Sequence, residues 1–152
     1  MDPKKRRELE ERKESAVKGF VESFRFLIHA VYNKNIHDED FEWYKNAYAV
    51  VARTNPLDII QRGGPPLWDL REHIERRNVN YFLTANFDYV FAAHRDKGVP
   101  DEMDHEKQLI KKLRLVWHLF NEPEREVMAA KFLEAIKYFA EFMKVLREEK
   151  AY

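Results

Sequence analysis

Glycine occurs four times in 152 residues, and two of the four are adjacent at Gly63 and Gly64. Serine, threonine and glutamine are scarcer still, at two residues each. A chain with so few turn formers has few places to reverse, so it must be built from a small number of long elements. The spacing of its apolar residues says which kind.

From residue 4 to 33, Leu9, Ala16, Val17, Phe20, Phe24, Leu27, Ile28 and Val31 recur at intervals of three, four and seven, the pattern of one helical face. This predicts a long helix, near 8–33, frayed before Glu14. Asp38 is placed to cap a second helix near 38–53, whose apolar side carries Phe41, Tyr44, Tyr48 and Val51. A third long helix, near 101–120, runs through Met103, Leu109, Ile110, Leu113, Val116, Trp117 and Phe120. Asn121 with Glu124 three residues on has the spacing of a capping box, and it opens a fourth helix near 122–148. The apolar stripe of that helix is predicted to include Val127, Met128, Leu133, Ile136, Phe139, Ala140, Met143 and Leu146.

The middle of the chain is punctuated differently. Asn55-Pro56 has the form of a cap followed by a first-turn proline, so LDIIQR should be a short helical piece closed by Gly63. Gly64-Pro65-Pro66 is then expected to break the helix, because two prolines remove two amide donors and Pro66 pushes Pro65 toward an extended backbone. Pro66 suits the start of the next helix, PLWDLREHIERRN. The expectation is a sharp corner between two short helices. Residues 79–95 carry Tyr81, Phe82, Leu83, Phe87, Tyr89, Val90 and Phe91, which suit strands or a buried helix. Short helices near 80–85 and 87–95 are the preferred reading, since a lone hairpin is marginal in water.

Some chemistries are excluded by composition. There is no cysteine, and hence no disulfide, thiolate zinc site or cysteine nucleophile. Twenty-seven basic residues balance twenty-seven acidic ones, so no global field draws the chain to DNA or an anionic membrane. Apolar runs such as FLIHAVY are too short for a membrane span or a signal-peptide core. The scarcity of glycine and serine leaves little from which to build a phosphate loop or a serine triad.

Four features remain as candidates. Glu102-Met103-Asp104-His105 spells E-x-x-H, a di-iron spacing, but no second copy occurs, and a solvated acidic first turn is the expected role. Six histidines are dispersed, with His29 and His118 in or beside apolar stretches where they could pair with a carboxylate or carbonyl in the core. Lys4, Lys5, Arg6 and Arg7 form a basic run of the kind that addresses a protein to the nucleus or touches phosphate, opposed at once by Glu8, Glu10, Glu11 and Glu14. Its bland counterpart is an exposed, partly disordered start over residues 1–8. Aromatic residues make up 14% of the chain, more than one core of this size needs. Trp43, Tyr44, Trp68, Tyr81 and Tyr89 gather around the broken middle and are the candidates for a protein interface, with simple burial in the core as the alternative.

Asn55-Pro56-Leu57, Ile60, Gly64-Pro65, Leu67-Trp68, Arg71, Ile74 and Tyr81-Phe82-Leu83 form a pattern that resembles small, uncharacterised helical proteins of large cytoplasmic DNA viruses. The likeness spans about thirty residues, Asn55 to Leu83, and departs from the pattern at Pro66 and Leu70. It implies a virion-packaged or infection-stage protein and transfers no catalytic residue. The expected fold is all-α: one domain over 1–152, an irregular bundle of four long helices with short helices in 56–95. The expected function is that of a non-enzymatic structural or interaction protein, self-associating or bound to a protein partner in the cytoplasm, nucleus or virion, with no cofactor, metal or membrane. Nucleic acid would be reached through the basic N-terminus only.

Overall fold

In the computed structural model, residues 1–75 and 105–151 are described, and they are all-α, with no strand among them. The helices are α1 (Pro3–Lys34), α2 (Glu39–Thr54), α3 (Pro56–Asp69), α4 (Arg71–Glu75), α5 (His105–Val116) and α6 (Glu122–Ala151), with a 3₁₀ turn over Trp117–Leu119 after α5. The expected short helices at 80–85 and 87–95 lie outside the described residues.

Two helices of 32 and 30 residues, α1 and α6, run antiparallel and form the spine. Ion pairs run along the seam at both ends. Arg12 bonds both Glu141 at 2.8 Å and Glu148 at 2.6 Å, Lys13 reaches Glu149 at 2.9 Å, and at the other end Lys34 reaches Glu124 at 2.7 Å. The frayed start expected before Glu14 is instead helical from Pro3, with the Asp2 carboxylate accepting from the Lys4 N–H. Leu9 is buried there, and burial of an apolar anchor holds the first turns in register.

Opposite the outer face of the spine, α2, α3 and α5 pack against it. Phe24 of α1 stacks with Phe20 of the same helix and with Tyr48 of α2, and Leu27, Ile59, Ile60, Leu109, Leu113 and Phe132 complete the same cluster. Two buried tyrosines tie the layers through polar tips. Tyr48 donates to the Val21 carbonyl of α1 at 2.7 Å, and Tyr44 donates to the His105 carbonyl of α5 at 2.9 Å. The predicted caps of α2 and α6 are formed. Asp38 accepts from the Phe41 N–H, while Asn121 and Glu124 exchange two hydrogen bonds, each 2.9 Å. Asn55, by contrast, makes no side-chain cap bond at the start of α3.

The Gly-Gly-Pro-Pro stretch is where expectation and structure part. It is no corner: α3 continues through Gly63, Gly64, Pro65 and Pro66 to Asp69, and the chain breaks at Leu70. Proline's fixed φ is itself helical, and Gly64 has no Cβ to clash with the Pro65 ring, so the local penalty of continuing is reduced. Gly64 is needed for contact rather than for a turn. A Cβ there would collide with the ring of Phe139 on α6. Close approach of α3 to α6 buries Gly63, Gly64, Pro66 and Leu67, which offsets the lost amide donors. Gly64→Ala should therefore destabilise the protein by about 1–3 kcal/mol, despite alanine's better helix propensity. Gly19→Ala is the contrasting case, because the ring over Gly19 belongs to Tyr138, which is at the surface and can swing aside. Equal losses in denaturant unfolding of the two variants would contradict this account of Gly64.

Candidate docking site

The outer side of the α1–α6 pair carries no further described helix, and the two helices leave a groove of about 750 Å³ between them. Its walls come from two helical rows. Lys18, Glu22, Arg25 and His29 stand on α1, and Lys131, Glu134 and Tyr138 on α6. Spacings of four and three residues keep each row on one face. Val127, a turn before Lys131, extends the second row and is also exposed.

Large apolar groups lie open along this face. Phe26 is 41% exposed and Tyr138 37%, although both sit in helices whose opposite sides are fully buried. Gly19 makes room for the Tyr138 ring to lie against α1. The Lys131 ammonium sits 4.9 Å from the centre of the Phe26 ring, and Ser23 Oγ donates to Glu134 at 3.3 Å. The charges along the rim are close to balanced. Desolvation at the groove wall, with the cations Lys45 and Arg25 nearby, lowers the His29 pKa. His29 is thus biased to the neutral imidazole.

The residues singled out from sequence are scattered by the fold. Trp43 is 53% exposed on α2. Tyr44 is not: it is buried in the core between Phe41 and Tyr48, because its position on α2 faces α5. Trp68 is half-buried, edge-on to Phe139 and covered by the Arg71 guanidinium 4.2 Å from its centre. Tyr81 and Tyr89 lie outside the described residues. Lys4, Arg6 and Arg7 are exposed on the first turns of α1, and Lys5 pairs with Glu8 at 3.4 Å.

The histidines exchange roles. His29 and His118, expected near the core, are exposed, since each falls beside the apolar stripe rather than on it. His105, expected in a solvated first turn, is 1% exposed. Its ring lies 5.7 Å from Tyr44 and 5.5 Å, edge-on, from Tyr48, and Nδ1 has no hydrogen-bond partner. Desolvation pushes its pKa down to about 4, with Asp58 opposing and Arg62 adding to the effect. Glu102 and Asp104 of the E-x-x-H stretch lie outside the described residues. Among the described residues no three His, Asp or Glu side chains converge as metal ligands, and no helix is long and apolar enough to cross a membrane.

Sequence reasoning missed the groove because it assigned Val127 to the core stripe and passed over Phe26 and Tyr138. Val127 is exposed: the buried stripe of α6 runs through Met128, Phe132, Ala135, Ile136, Phe139, Phe142 and Val145. The signal was present as apolar residues just off that stripe. No protein-family model, curated protein or solved structure matches the chain.

Proposed function

We propose that this protein is a non-catalytic helical interaction module, an assembly component whose α1–α6 face receives a protein partner. One observation carries the reading: Phe26, Tyr138 and Val127 are held open along the groove between two helices whose opposite, core-facing stripes are buried. Apolar and aromatic residues rimmed by polar ones are the usual anatomy of a protein interface. Trp43 on α2 offers a second, smaller contact. The likeness of residues 55–83 to small helical proteins of large cytoplasmic DNA viruses supports a virion or infection-stage setting for such an assembly.

The test is the native mass of the chain taken from its source. A mass well above 18.4 kDa is expected, falling when Phe26→Glu and Tyr138→Glu are combined, with the melting temperature little changed. A source-purified chain that already runs at its own mass would end the proposal.

A second reading has its own observation. Behind the Asp2 cap, α1 opens with four cations and no acidic residue in its first turn. Such a placement suits a phosphate ligand, and hence a nucleic-acid-associated factor. Binding that weakens steeply with salt and is lost when Lys4, Arg6 and Arg7 become glutamate would favour it. Salt-insensitive or absent binding would dispose of it.

A further inference from the structure

The two rows that flank the groove share one pattern. On α1, Lys18, Glu22, Arg25 and His29 are spaced four, three and four apart, and on α6 so are Val127, Lys131, Glu134 and Tyr138. Each row is therefore symmetric about its own centre, which lies between Ser23 and Phe24 on α1 and between Phe132 and Leu133 on α6. Across each centre the charges are opposite: Glu22 against Arg25, and Lys131 against Glu134. The two centres also lie at one level along the bundle, because Ser23 bonds Glu134 and Lys131 covers Phe26.

A surface with that antisymmetry complements itself under a two-fold rotation. We infer that the occupant of this face is a second copy of the chain, related by a two-fold axis that crosses both helices at the level of Ser23 and sets α1 antiparallel to α1 of the partner and α6 antiparallel to its α6. This rests on the proposed interaction role and names the partner. In that arrangement Glu22 meets Arg25 of the other copy twice, and Lys131 meets Glu134 twice. Val127 packs on Tyr138, and Lys18 lies beside His29. The alternative two-fold axis, parallel to the helices, sets Glu22 against Glu134 and Arg25 against Lys131. Like charges facing one another disfavour it. The pairs within each helix, Glu22–Arg25 at 3.7 Å and Lys131–Glu134 at 3.1 Å, are partly exposed and hold these groups only weakly. They are free to be shared across the interface.

The absence of cysteine makes the register directly readable. Lys18→Cys mixed with His29→Cys should form a disulfide between the two variants, while either alone should not, since identical positions would be ~16 Å apart along antiparallel helices. In sedimentation across a concentration series, Arg25→Glu should weaken the dimer at least ~tenfold, and the reversal Glu22→Arg with Arg25→Glu should restore it, because it recreates the same pairs with signs exchanged. Melting curves of each variant confirm that the fold is kept. A dimer that forms no mixed disulfide and ignores the charge changes would overturn this pairing while leaving the interaction role standing. A purified chain that stays monomeric throughout the series would overturn it too, and a large native mass from the source would then point to a different protein on the same face.

Discussion

Acidification from neutral pH to about 4 is expected to remove roughly 3 kcal/mol more unfolding free energy from the wild-type protein than from a His105→Leu variant. The cause is a buried imidazole with an unpartnered Nδ1, facing Tyr44 and Tyr48 of α2 and, at longer range, Asp58 and Arg62 of α3. Its folded pKa of about 4 lies below the ordinary 6.5, so between these values the unfolded chain takes up a proton that the folded chain refuses. Stability is complete above 6.5 and falls as pH drops toward 4. Leucine keeps most of the packing and leaves the Tyr44 hydrogen bond to the backbone carbonyl intact. The other shifted groups are common to both proteins and cancel. Asp38, held low by Lys112 and the Phe41 amide although desolvation works the other way, loses its contribution only below its usual 3.8. Urea unfolding of both proteins over this pH range checks the claim, and parallel curves would refute it.

Phe24→Ala should cost about 3–5 kcal/mol, the largest effect expected of one substitution here. Its ring is fully buried between Phe20 at 6.0 Å and Tyr48 at 5.8 Å, where the spine meets α2. The site cannot collapse easily, because Tyr48 is anchored to the Val21 carbonyl. Tyr48→Phe removes that hydrogen bond and keeps the ring, and should cost about 1 kcal/mol. The two are compared by denaturant midpoints at constant slope. A Phe24→Ala loss no greater than that of Tyr48→Phe would mean that the aromatic stack contributes little.

Much of the fold was legible without coordinates. The stripe Phe20, Phe24, Leu27, Ile28 and Val31 marked the buried face of α1, and Asp38 and the Asn121–Glu124 pair marked two helix starts, because periodicity and caps are local properties of a helix. The open face of the α1–α6 pair was harder to see. Phe26, Val127 and Tyr138 are apolar in composition, and only their placement relative to the seam between α1 and α6 makes them a surface. His105 escaped for the converse reason, since an acidic neighbourhood in sequence says nothing of two tyrosines brought over from α2.

The amino-acid order alone therefore determined that this chain is helical, roughly where its long helices run, and which faces of them are greasy, since each of these follows from backbone geometry within a few turns. Tertiary packing decided the rest: that Gly63 to Pro66 stay in a helix because Phe139 presses close to Gly64, that Tyr44 and His105 go inside, and that one aromatic face stays open. These outcomes depend on residues far apart in the chain meeting at one place, and no local preference encodes such a meeting.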